Sequence, residues 1–118
     1  MTKMSGGVVL VVEDEALLLF SIADELRDLG FDVLEARNAD EALSRLEAHD
    51  EIAAVFTDID MPGSMDGLQL TALIDTRWPL MKVVVTSGKK LPDSSAMPER
   101  AQFLSKPYAI EDVARAIA

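Results

Sequence analysis

At 118 residues the chain has the length of a single domain spanning 1–118, long enough to bury a core covered on two sides. Its 21 acidic residues against 11 Lys and Arg give a net charge of −10, a surface that repels nucleic-acid phosphates and tolerates cations. The absence of cysteine excludes disulfides and thiolate metal sites, and the opening "MTKMSGG" lacks the apolar core of a signal peptide; a cytoplasmic location is expected, with neither a nucleic acid nor a membrane as partner.

In chain order, "VVLVV" at 8–12 is a short β-branched run bounded by polar residues, which predicts a strand buried on both faces. Leu18, Leu19, Ile22, Leu26 and Leu29 then recur on one helical stripe, and Gly30 follows as a C-terminal cap. Leu17 and Phe20 fall outside this stripe and open two readings, a partner surface or, the plainer one, wide core packing. "FDVLEA" at 31–36 alternates and carries Asp32 and Glu35, the mark of an edge strand. Asn38 with Glu41 three residues later predicts a helix start, and Ala39, Ala42, Leu43 and Leu46 share its inner face.

"IAAVF" at 52–56 and "VVV" at 83–85 are further buried strands. The helix between them runs from about Gly67 to Arg77 with Leu70, Leu73 and Ile74 inward, and stops before Pro79. Pro92 and Pro98 leave too little room for an ordinary helix between Thr86 and Gln102, so the fourth helix should be short or irregular. "QFL" at 102–104 is a short fifth strand, and a last helix starts near Ile110 with Val113, Ala114 and Ile117 inward. Strand and helix alternate throughout. That pattern implies an α/β fold, a doubly wound five-stranded parallel sheet in the flavodoxin-like order 2-1-3-4-5.

Ligands of such sheets bind beyond the carboxyl ends of the strands, where the strand order reverses. The first strand ends in Glu13 and Asp14, the third in Asp58 and Asp60, the fourth in Thr86 and Ser87, and the fifth in Ser105, Lys106 and Pro107. Taken singly, an aspartate after a strand is an ordinary turn residue, and Pro62, Gly63 and Gly67 are ordinary turn chemistry. Convergence of four strand ends is harder to assign to chance. Two carboxylates roughly 5 Å apart repel by about 3 kcal/mol at an effective dielectric near 20, so such a cluster requires a counter-charge. Oxygen ligands with room for water suit Mg²⁺ or Mn²⁺, and Lys106 adds a fixed positive charge.

The motifs "VVEDE" at 11–15, "DIDMPGSMDG" at 58–67, "VTSG" at 85–88 and "FLSKPY" at 103–108 resemble, in this order and spacing, the receiver domain of bacterial two-component response regulators, of the chemotaxis-regulator type. The resemblance implies that Asp58 accepts a phosphoryl group from a phosphohistidine on a histidine kinase or phosphotransfer protein and that a downstream protein reads the outcome. It further implies Mg²⁺ held by Asp14, by Glu13 through water, by Asp58 and by the backbone carbonyl of Asp60. Lys106 and Thr86 would contact phosphoryl oxygens, Phe103 would turn inward as Thr86 moves, and the Lys106–Pro107 peptide would be cis. The domain would be a switch rather than a turnover enzyme.

Two departures stand out: "MPGSMDG" carries extra residues, and the segment around Pro92 and Pro98 reduces the fourth helix. Asp60 brings a further carboxylate two positions after the nucleophile, placed to tune the lifetime of the phosphoryl group. A receiver-like module working without phosphorylation is an alternative, although Asp14, Asp58, Thr86 and Lys106 are all in place. "DID" at 58–60 also resembles the paired aspartates of haloacid-dehalogenase-type phosphatases, but there the pair follows the first strand, and this chain has no length for a cap domain.

Overall fold

The structure, a computed structural model, describes residues 7–61, 65–88, 98 and 100–118. Five parallel strands form one sheet: β1 (Val8–Val12), β2 (Asp32–Ala36), β3 (Ile52–Asp58), β4 (Lys82–Ser87) and β5 (Gln102–Ser105). Their spatial order is β2-β1-β3-β4-β5, the expected one. The described helices are α1 (Ala16–Asp28), α2 (Ala39–Ala48), α3 (Gly67–Arg77) and α4 (Ile110–Ile117). The short or irregular helix expected before β5, and residues 62–64 of the lengthened loop after β3, lie outside the described residues.

Alternation along β1 divides the core. Val9 and Val11 face α1 and α4, where Leu19, Ile22, Leu26, Val113 and Ile117 are buried; Leu10 and Val12 face α2 and α3, with Leu46, Leu70 and Ile74. Both faces of the central strands are therefore apolar, which is why these strands read as continuous hydrophobic runs. Helix starts follow local hydrogen bonding. Asn38 Oδ1 accepts from the Glu41 amide at 2.8 Å, and Asp66 and Gln69 exchange side-chain to backbone bonds at 2.9 and 3.0 Å. Gly30, with φ of +101°, closes α1 in the left-handed conformation that only glycine adopts without strain.

One expectation fails. Leu17 is 86% and Phe20 67% exposed, so neither widens the core. Both lie on the side of α1 turned away from the sheet, since Leu19, Ile22, Ala23 and Leu26 take the buried positions.

Candidate functional site

Strand register assembles the site. Asp58 pairs with Thr86 across β3 and β4, and Ser87 pairs with Ser105 across β4 and β5, so Lys106 leaves the sheet one residue further on. Val12 pairs with Thr57, which places Glu13, the next residue, opposite Asp58. Asp58 is 4% exposed and its two oxygens are separately engaged: Oδ2 receives the Lys106 ammonium at 2.6 Å and Oδ1 the Asp60 amide at 2.8 Å. The Lys106–Pro107 peptide is cis, as anticipated.

Glu13 is 3% exposed, deeper than the half-buried Asp14. Burial pushes its carboxyl up to about 7; the Glu15 amide, at 3.0 Å, opposes this, and the carboxylates of Asp58 and Asp14 reinforce it. Lys106 shows the converse balance. Burial disfavours its charge, yet the hydrogen bond to Asp58 and the fields of Asp58, Glu13 and Asp60 outweigh it and raise its pKa. Thr86 Oγ1 is buried with no hydrogen-bond partner. A hydroxyl in that condition costs stability unless something supplies the missing bond. Phe103, half-buried, packs on the α2 and α3 side of the core.

Among the described residues no three His, Asp or Glu side chains are grouped so as to hold a metal ion by themselves. The carboxylates that do meet are hard oxygen donors: the desolvated Glu13 lies beside Asp14 and Asp58. A few carboxylates with space for water fit Mg²⁺, which keeps part of its hydration shell, better than a fully protein-coordinated ion.

Several contributors were not legible as such. Gly67 looks like a turn residue, but a Cβ there would sit 2.1 Å from the carbonyl oxygen of Asp58 and 2.7 Å from Ile59 Cα. Only glycine lets α3 start so close beneath the end of β3. Ser87, seen only as a strand-end hydroxyl, donates to Asp60 Oδ2 at 2.7 Å. Tyr108 stacks edge-on against Phe56 at 5.4 Å, and burial, then the fields of Glu13 and Asp58, push its hydroxyl up to about 12. It also lines a groove of about 350 Å³ beside Lys106, walled by Leu18, Ile22 and Glu25 of α1 and by Pro107 and Ile110.

A family model described as the response regulator receiver domain matches residues 9–118. The chain belongs to that family. As a receiver domain it is 41% identical over 86 residues to an NtrX-like response regulator of Rickettsia felis, covering 72% of this chain and 18% of that protein. It thus spans about a fifth of the length of the curated relatives it first matches. Among solved structures, a response regulator receiver domain protein from Clostridium thermocellum superposes with a TM-score of 0.84 at 32% identity, covering 93% of this chain and 90% of that one. The response regulator TrrA from Thermotoga maritima, solved in complex with Mg²⁺-BeF, shares the receiver fold at a TM-score of 0.77 and 22% identity, over 94% and 98% of the two chains. Membership of the receiver family leaves no place for the haloacid-dehalogenase reading. No helix among the described residues is long and apolar enough to cross a membrane.

Proposed function

We propose that Asp58 is the phosphoacceptor of this receiver domain and that Lys106, Thr86, Glu13, Asp14 and Asp60 assist it. The observation carrying this reading is a nearly buried carboxylate whose two oxygens are held apart by a lysine at 2.6 Å and a backbone amide at 2.8 Å. Such a group is oriented before any donor arrives, which supports attack on phosphorus without further reorganisation. In the transfer, an Asp58 oxygen forms the new P–O bond while the donor's P–N bond breaks, and the electron pair returns to the histidine imidazole. Lys106 stays beside the carboxylate and shifts its ammonium toward the phosphoryl oxygens as their charge develops.

Receiver domains bind Mg²⁺, and here Asp14, Asp58 and the Asp60 carbonyl would hold it, with Glu13 acting through water; Mn²⁺ has the same donor preference. A bound divalent ion neutralises charge on the phosphoryl oxygens. The unpartnered Thr86 hydroxyl then finds in a phosphoryl oxygen the acceptor it lacks, and Phe103 packs into the space Thr86 leaves. A ~100-fold preference for one conformation corresponds to about 2.7 kcal/mol, within reach of two charge-assisted hydrogen bonds. The groove beside Lys106 and the exposed Leu17 and Phe20 of α1 support docking of a histidine kinase or phosphotransfer protein on that side. A separate downstream protein would read the switched surface.

Incubation with Mg²⁺ and acetyl phosphate, followed by intact mass measurement, tests this directly. The expected result is one added phosphoryl group, lost on Asp58→Asn replacement. An unaltered protein that takes up none would instead favour a phosphorylation-independent binding module.

A further inference from the structure

The side chains of Asp60 and Ser87 take no part in the transfer derived above, yet they are joined across the mouth of the site. Ser87 Oγ donates to Asp60 Oδ2 at 2.7 Å. Ser87 is 2% exposed whereas Asp60 lies at the surface, so an exposed carboxylate is drawn down onto a buried hydroxyl. The bond links the chain leaving β3 to the last residue of β4. Ser87 directly follows Thr86, whose own hydroxyl is buried and unpartnered. Asp60 belongs to the electrostatics of the site: its amide donates to Asp58 Oδ1 at 2.8 Å, and its carboxylate helps raise the pKa of Lys106.

We propose that the Ser87–Asp60 hydrogen bond is a latch that holds the end of β4 in its unphosphorylated arrangement and is opened by the charge of the phosphoryl group. This rests on the reading of Asp58 as phosphoacceptor and Thr86 as the residue drawn to the phosphate. Phosphorylation turns one Asp58 oxygen into a bridging oxygen and moves negative charge outward onto the phosphoryl oxygens, adding about one further charge. That charge grows beside the Asp60 carboxylate, and like charges at short range in a partly buried site repel strongly. Thr86 and Ser87 share a peptide unit, so a backbone displacement that carries Thr86 toward the phosphate also pulls the Ser87 hydroxyl away from its acceptor. A bond made in one conformation and lost in the other biases the equilibrium by its own strength.

Nuclear magnetic resonance of the full chain tests the latch through the amide signals of Thr86, Phe103 and Lys106, with and without acetyl phosphate and Mg²⁺. Ser87→Ala and Asp60→Ala should each move the unphosphorylated signals along the line toward their phosphorylated positions, raising that population about fivefold. The double variant should move them no further. Asp60→Asn keeps an acceptor for Ser87 but removes the charge, so its unphosphorylated signals should stay in place while phosphorylation shifts them less completely. Singles that leave the signals unmoved, or that add in the double variant, overturn the latch alone. An unaltered protein that forms no adduct overturns the phosphoacceptor reading and the latch with it.

Discussion

The two ends of the sheet are built from different chemistry. At the carboxyl ends of β1, β3 and β4 the buried residues include Glu13, Asp58, Thr86 and Ser87. At the amino ends of β3 and β4, buried Ile52 and half-buried Trp78 and Met81 form an apolar floor, with Pro79 exposed and Leu80 93% exposed beside it. The floor gains stability from burying hydrocarbon. The rim gives stability up: Glu13 is desolvated among carboxylates and Thr86 lacks a hydrogen bond. Under the proposed function, the interactions left incomplete at this end are those that a phosphoryl group and a cation would complete.

Asp58→Asn is the most extreme way to sharpen this contrast. Phosphoryl uptake from acetyl phosphate should vanish in an intact mass measurement, while thermal stability without divalent ions should be equal to or above that of the unaltered protein. Removing the carboxylate relieves the crowding of Glu13, and the side chain of Lys106, 30% exposed, can be hydrated instead. A variant that unfolds would mean that Asp58 is a structural ion-pair partner and that the rim is not a place where stability was given up.

What the sequence disclosed follows the same division. Strands and helix starts were legible because each depends on residues near in the chain: the β-branched runs of β1 and β4, the Asn38 cap, the glycine ending α1. The site residues were legible because parallel topology sends every strand end to one rim. Contacts set by packing between distant segments were not. Nothing near Gly67 announces that the Asp58 carbonyl will press on it, and the pairing of Ser87 with Asp60 spans 27 positions. Leu17 and Phe20 misled because hydrophobicity names a preference, whereas the direction a helix face takes depends on where the sheet lies.

Gly67→Ala should break the simple division, since it places a structural demand at the rim. With backbone atoms at 2.1 and 2.7 Å from the new methyl, α3 must move. The expected loss is about 3 kcal/mol or more in a denaturant titration, accompanied by slower phosphorylation because Asp58 shifts with its own carbonyl. At the floor, Ile52→Ala should cost about 2 to 4 kcal/mol for a side chain only 5% exposed. Measured where the variant is still folded, its phosphorylation rate should match that of the unaltered protein. A floor variant that slowed phosphorylation as much as Gly67→Ala would erase the distinction between the two ends.

The smallest effect isolates the cost of the rim by pH. In the unfolded chain Glu13 loses its proton near its ordinary value of 4.5, whereas in the folded protein it holds the proton up to about 7. Between those limits the folded state binds more protons than the unfolded one, so this residue makes stability fall as pH rises, with the penalty complete above about pH 7 and absent below about pH 4.5. Its full size is on the order of 3 kcal/mol. Other groups titrate as well, so the informative quantity is the difference between the unaltered protein and Glu13→Gln, both in a chelator. At pH 4 the two should unfold at nearly the same denaturant concentration, and by pH 8 the glutamine variant should be the more stable. Saturating Mg²⁺ should reverse that order at pH 8, because the ionised carboxylate then has the cation it was crowded to receive. Curves running parallel across this range would show that Glu13 is paired within the protein, and that the rim keeps no charge in reserve.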